Sequence, residues 1–327
     1  MRILNGHHIK LVLDNFIWVL IAFFLVLASV AIDGFFTVEN FINMPFHSAS
    51  LSMMILGMGF CLLSDKMDLS LESTYAVAPA IGVLLVTRWF PDIPGNFAVL
   101  FTIITGAIIG LINGLLVVKL RINSFLATLA MLIVLRGSVE YLLPVGIFKV
   151  PSLFGTLGAD TFLLGDFEIP YTIFIYITIF FIASFILRNT VFGKDLVAVG
   201  SNATAAFIAG IRVDRVHILV FVVSGMCAAF GGVLAVGKMG SVMNQLGNGD
   251  ILFVFAGTVL GGISLSGGKG KIMNALGGGL LLTIITTILN YSEVSPYLIK
   301  AIQGLTLLVA MILNNVIEIF VRSRLSR

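Results

Sequence analysis

Phe97-Ala-Val-Leu-Phe-Thr-Ile-Ile-Thr-Gly-Ala-Ile-Ile-Gly-Leu-Ile-Asn-Gly-Leu-Leu-Val-Val118 contains no charged side chain. At a rise of 1.5 Å per residue it makes a helix of about 33 Å, the thickness of a bilayer's hydrocarbon core. Nine further apolar segments surround it: Phe16–Ile32, Phe46–Leu63, Tyr75–Phe90, Phe125–Ile147, Tyr171–Leu187, Val216–Val236, Ile251–Ser264, Asn274–Tyr291 and Tyr297–Ile317. The chain is 59% hydrophobic and only 11% charged, with a mean hydropathy of +1.11. A soluble domain carries about 25% charged residues. Too few charges remain to cover a globular surface, so the apolar excess faces lipid. The predicted fold is all-α: one polytopic membrane bundle of about ten helices, spanning 1–327 as a single domain. Two segments are weak. Ile251–Ser264 is short for a span, and Phe46–Leu63 carries Gly57 and Gly59, so both are expected to be broken or half-spanning. No signal-peptide cleavage site follows the first apolar run, which reads as a retained helix.

The distribution of Lys and Arg tests the topology, because basic residues collect on the cytoplasmic side. With the N-terminus inside, five of the nineteen basic residues (Arg88, Arg136, Lys149, Lys238 and Lys300) fall outside or within a span. The other fourteen are cytoplasmic, and both termini are placed in the cytoplasm. The acids Asp33, Glu39, Asp92, Asp160, Asp166, Glu168, Asp250 and Glu293 take the outer loops. Residues 148–170 read as an ordered outer cap, and 188–215 as a cytoplasmic loop. Cys61 and Cys227 both lie in apolar segments and make neither a disulfide framework nor a metal site. His47 is alone near an outer helix end and is not expected to bind metal.

The loop 188–215 is the most informative polar stretch. Ser201 or Asn202 is placed to N-cap a short helix over Ala203–Ala209, and Gly210 to end it. A small-sided helix between two spans either fits a groove on another protein or is an ordinary surface loop. Elsewhere, Asp68 and Ser70 sit at a helix junction, where freed backbone groups can line a cavity. Asn113 and Thr128 either join helices by hydrogen bonds or touch solute. Arg136 and Glu140 lie four residues apart on one predicted helix, as an internal ion pair or as a pathway-facing one. Val259-Leu-Gly-Gly-Ile-Ser-Leu-Ser-Gly-Gly-Lys-Gly270 is not a phosphate loop. Five residues after Gly262, Gly267 is followed by Gly268 rather than Lys, and Lys269 by Gly270 rather than Ser or Thr. No nucleophile–base pair or paired catalytic carboxylates appear, so the chain is not read as an enzyme.

Five stretches, in order over about residues 45–320, resemble the permease subunits of bacterial ABC importers for ribose and related sugars. They are Asp68-Leu-Ser70, Leu111-Ile-Asn-Gly-Leu-Leu-Val-Val-Lys-Leu-Arg-Ile-Asn-Ser-Phe-Leu-Ala-Thr-Leu129, Arg136-Gly137, the Gly193–Arg215 loop and the glycine segment 259–270. The resemblance implies a transporter subunit of the bacterial inner membrane, with Asp68, Ser70, Asn113, Phe125, Thr128 and Arg136 along the substrate path. It further implies that Gly200, Asn202, Ala205, Ala206, Phe207 and Gly210 couple to an ATP-binding cassette ATPase. That partner would hold ATP and magnesium, and this chain would bind no cofactor. An extracytoplasmic substrate-binding protein, a second permease chain and membrane lipid are the other implied partners; nucleic acid is not. The chain departs from the family around Ser64-Asp-Lys-Met-Asp-Leu-Ser-Leu-Glu-Ser73. Asp65, Lys66 and Glu72 stand where the family usually has glycines and small residues. The resemblance therefore carries the transport role, not the solute. A nucleoside, a signalling furanose, a branched amino acid and a proton-coupled mode remain alternatives.

Overall fold

The computed structural model describes residues 16–312 except 33, 296, 307, 310 and 311. Arg2, Lys10, Asp33, the arginines at 322, 324 and 327, and the end of the tenth apolar segment lie outside the described residues. In chain order the helices are α1 (Phe16–Ala31), α2 (Val38–Leu63), α3 (Leu71–Leu84, continued by a π-turn over Leu85–Trp89), α4 (Phe97–Val118), α5 (Ser124–Leu142) and α6 (Ser152–Gly158). The strands β1 (Thr161–Leu164) and β2 (Phe167–Pro170) follow, then α7 (Tyr171–Asn189), α8 (Val191–Ser201), α9 (Ala203–Ile208), α10 (Val213–Met239), α11 (Ile251–Leu260) and α12 (Ile272–Tyr291). Residues 297–306 are helical as well. In lipid every backbone N–H and C=O must be paired within the chain, so helices dominate. The β1–β2 hairpin and α6 form the cap expected over 148–170.

Six of these helices, α2, α4, α5, α7, α10 and α12, are long and apolar enough among the described residues to cross a membrane. The protein is a multi-pass helical membrane bundle. α2 is not broken, contrary to the sequence expectation. It begins earlier than the apolar run because Thr37 caps it, accepting from the Asn40 backbone N–H. Gly57 and Gly59 serve packing instead: a Cβ on Gly57 would touch the Ser224 carbonyl oxygen at 3.0 Å. α11 is a ten-residue half-helix, as the short eighth segment suggested.

α2 and α10 form the centre, and most of their residues are buried. α4 lies against α10 with backbone touching backbone. A Cβ on Gly110 would meet the Phe221 carbonyl oxygen at 2.1 Å, and one on Gly225 would meet that of Gly106 at 2.1 Å. Small residues permit this approach, which lipid-embedded helices need because lipid tails compete equally for apolar faces. α5 and α7, by contrast, keep most of their length exposed to the surroundings. The loops gather at two ends. The α9 loop and the glycine-rich turn share one end, where the Gly268 N–H donates to the Leu63 carbonyl at 2.9 Å. The hairpin and the 240–250 loop share the other, where Ile147 pairs with Val242.

Candidate translocation site

Two helices start inside the bundle rather than at its ends. After α2, the chain turns back and passes through Met67–Ser70, turning again at Leu69 and Ser70, before α3 begins. The Asp68 carboxylate accepts from the Ser224 hydroxyl at 2.8 Å. Ser224 is eleven residues into the 27-residue α10, about 16 Å from its start. The segment is therefore deep in the bundle, and its backbone groups need partners. The Leu69 N–H donates to Thr128 Oγ1 at 3.0 Å, and the Met67 N–H to Ser124 Oγ at 3.3 Å. The other Asp68 oxygen accepts from the Ser70 hydroxyl at 2.6 Å and the Ser70 N–H at 3.1 Å. Asn113 Nδ2 donates to Ser70 Oγ at 2.7 Å.

Four sequence-derived site residues, Asp68, Ser70, Asn113 and Thr128, thus meet in one hub. All four are 1% exposed or less. The hub ties α3, α4, α5 and α10 together; only the Asn113 side-chain oxygen lacks a hydrogen bond. Phe125 is not part of it and lies 45% exposed on the bundle surface.

The second interior start belongs to α11. The 240–250 loop leaves α10 and folds inward until Gly247 packs on Tyr75. Glu72 joins the two starts. Its Oε1 pairs with Arg136 Nη2 at 3.1 Å, and its Oε2 accepts from the Ile251 N–H at 3.1 Å, at the first turn of α11. Arg136 Nη1 donates to the Asn244 and Leu246 carbonyls at 3.0 and 3.1 Å. Arg136 therefore pairs with Glu72, and the expected Arg136–Glu140 pair is not formed. Glu140 is on an exposed face of α5. The reason is desolvation. Glu140 lies on an exposed face, whereas Glu72 is buried, and a buried carboxylate is costly unless a cation stands beside it. Asp250 lies beside this clasp. Sequence reasoning noted Glu72 only as a departure from a pattern; its negative charge in so apolar a chain was the available signal.

Above the clasp lies a cavity of about 640 Å³, bounded by α2, α10, α11, α12 and Gln303. Tyr75 and Asp250 line its deep part, Asn40 and Asn290 the part nearer the helix ends. His47 and Lys238 lie on its wall, and the Lys238 ammonium contacts His47 Nδ1 and stands 4.9 Å from the centre of the Phe46 ring.

At the other end of the bundle, Asn202 caps α9 by accepting from the Ala205 N–H at 2.9 Å. Gly210 leaves the loop with φ +87°, a conformation that suits glycine. The capping and termination read from the sequence are both present. Gly200 is seated where no side chain fits: a Cβ there would come within 1.8 Å of the Leu63 carbonyl oxygen and 2.8 Å of the Gly268 nitrogen. Ala206 faces inward at 5% exposure, while Phe207 and Ile208 stand out at 72% and 80%. Asn202, Ala205 and Gly210 are exposed.

The profile of the family described as the branched-chain amino acid transport system permease component matches residues 40–311. The galactose/methyl galactoside import permease protein MglC of Haemophilus influenzae is 30% identical over 86% of this chain and 88% of its own. The ribose import permease protein RbsC of Escherichia coli is 31% identical over 90% of this chain and 92% of its own. The L-arabinose transport system permease protein AraH of Escherichia coli is 30% identical, covering 91% and 89%. No solved structure matches the chain.

Proposed function

This chain belongs to the branched-chain amino acid transport system permease component family, and from that premise we propose that it is the membrane-spanning subunit of an ATP-driven importer for a sugar. The relatives' ribose, galactose and arabinose names support a monosaccharide over the other solutes. In this reading the chain crosses a bacterial inner membrane about ten times with both termini in the cytoplasm. The cavity end faces outward to receive solute from a binding protein. The α9 end faces the cytoplasm and a partner ATPase, which supplies ATP and magnesium. A second permease chain completes the assembly, because a paired ATPase presents two docking surfaces.

The observation that carries the reading is α9: a capped helix at one end of the bundle displaying Phe207 and Ile208, 72% and 80% exposed. Large apolar side chains exposed together on a loop mark a docking surface. α9 is also mechanically connected. Through Gly200 its neighbour α8 sits on the end of α2 and on the glycine-rich turn that leads from α11 into α12. A push on α9 therefore reaches α2, which walls the cavity, and α11, whose start is held by Glu72. For ATP to drive transport, the ATPase must bind the inward-open and outward-open arrangements with different affinity.

The test is coexpression with candidate ATPase and binding-protein genes, copurification, and ATP hydrolysis in lipid with a sugar panel. Phe207→Ala with Ile208→Ala should leave the permease folded and weaken ATPase capture by about 10-fold or more, the cost of losing an interface anchor. Undiminished capture and undiminished sugar-stimulated hydrolysis would sink the docking assignment.

A further inference from the structure

A cavity of about 540 Å³ opens at the α9 end, between the end of α4 and the start of α10. Its polar wall carries Lys119, Arg212, Asp214 and Arg215. Asp214 is the only acid on that wall, and Lys119 pairs with it at 3.3 Å. Among the described residues, Arg212 and Arg215 make no hydrogen bond or ion pair, so two positive charges stand uncompensated in the cavity. The rest of the wall is apolar and includes Ile218 and Leu219. Leu219 also lines a second cavity, an apolar slot of about 370 Å³. There Leu219, Val223 and Cys227 continue from Arg215 at steps of four, as one stripe along α10. Ile179, Ile182 and Ile186 of α7 supply a second wall, and Leu56 and Phe60 of α2 a third. From Arg215 to Cys227 the stripe runs about 18 Å, against about 15 Å of hydrocarbon in one leaflet. Leu219 and Leu115, the latter one turn before Lys119, are each 40% exposed, so this flank of the bundle meets lipid.

We propose that the two cavities form one site for an anionic phospholipid, with its phosphate on Arg212 and Arg215 and one acyl chain in the slot. The proposal goes beyond the importer reading and stands without it. Guanidinium groups suit a phosphate because their planar fork matches two of its oxygens at once. Basic pockets at the ends of membrane helices attract anionic headgroups for the same reason. A lipid tail gains little from an apolar slot over the tails around it, so the selectivity resides in the headgroup. A zwitterionic headgroup brings its own cation to the phosphate and cancels the attraction; phosphatidylglycerol does not. Free inorganic phosphate matches the arginines but places nothing against Leu219 and Val223. An acidic segment of a partner ATPase also matches the arginines, yet has no access to a slot at membrane depth.

Native mass spectrometry of the full-length chain, titrated with dioleoyl phosphatidylglycerol or dioleoyl phosphatidylcholine, tests this. Wild type should bind phosphatidylglycerol about 10- to 30-fold more tightly, the worth of two cations at a membrane surface. Arg212→Gln with Arg215→Gln, both at exposed positions, should erase that preference. Val223→Trp, which fills the slot, should weaken phosphatidylglycerol binding several-fold with the arginines intact. Melting curves in phosphatidylcholine show which variants fold, and the arginine pair decides the question where Val223→Trp does not. Four results overturn the proposal. They are equal binding of the two lipids by wild type, a preference that survives in the double variant, displacement of phosphatidylglycerol by equimolar inorganic phosphate, and undiminished phosphatidylglycerol binding by a folded Val223→Trp. A double variant that keeps the lipid preference but loses ATPase capture reassigns the two arginines to the ATPase. Lipid binding is read on the chain alone, so a failure of sugar import leaves it untouched and the two readings fail separately.

Discussion

Arg136→Met strands a carboxylate. Glu72 has a side chain only 5% exposed, and Arg136, itself 13% exposed, is its cation at 3.1 Å. Without the guanidinium, Glu72 keeps one bond, from the Ile251 N–H. Removing one partner of a buried ion pair costs about 3–5 kcal/mol, mainly through the charge left behind. Methionine fills a similar volume, so packing contributes little. The Asn244 and Leu246 carbonyls also lose their donor, at about 1 kcal/mol each. A second change, Glu72→Gln in the Arg136→Met background, removes the stranded charge and keeps an acceptor for Ile251. The double variant should therefore be more stable than Arg136→Met alone by about 2 kcal/mol. Cys61 and Cys227, both buried, let a thiol-reactive fluorogenic dye report unfolding. Arg136→Met should lower the midpoint by about 10 °C and the double variant by about half as much. If the double variant melts at or below the single one, no charge was stranded, and the clasp as described here is wrong.

Two further outcomes are expected. Gly200→Ala forces a methyl group to within 1.8 Å of the Leu63 carbonyl oxygen; it should cost about 1–3 kcal/mol and, in a pull-down, weaken ATPase capture although α9 itself is unchanged. Asp68→Ala leaves the Ser70 and Ser224 hydroxyls without their acceptor and should lower stability by about 2–4 kcal/mol in the same dye assay, with Thr128→Val, which deprives one N–H, costing about 1–2.

Periodicity and composition reveal what one helix does by itself. The described apolar runs became helices, although α2 starts eight residues before its run, because a chain in lipid has no other way to pair its backbone. The Asn202 cap and the Gly210 exit were legible for the same local reason. The hub could be read from residue type: Asp68, Ser70, Asn113 and Thr128 are too polar for lipid and found one another. The clasp was not legible. Glu72 and Arg136 are 64 positions apart, and nothing in spacing distinguishes that pairing from Arg136 with Glu140, which helical geometry favours. The cavity was missed because Asn290 within an apolar run barely alters its hydropathy. Its meaning lies in which helix faces it.

The central place of α2 has a consequence for synthesis. It is the second helix made, yet its main packing partners, α10 and α12, follow much later. The end of α10, at Met239, emerges 176 residues after Leu63. At about 5–20 residues per second, α2 waits roughly 10–35 s in the bilayer before that partner is complete. Throughout that time Asn43, Ser50 and Ser52 face lipid or an insertion chaperone rather than protein. A ribosome that stops anywhere before α10 therefore leaves a fragment whose most enclosed helix lacks its two main partners.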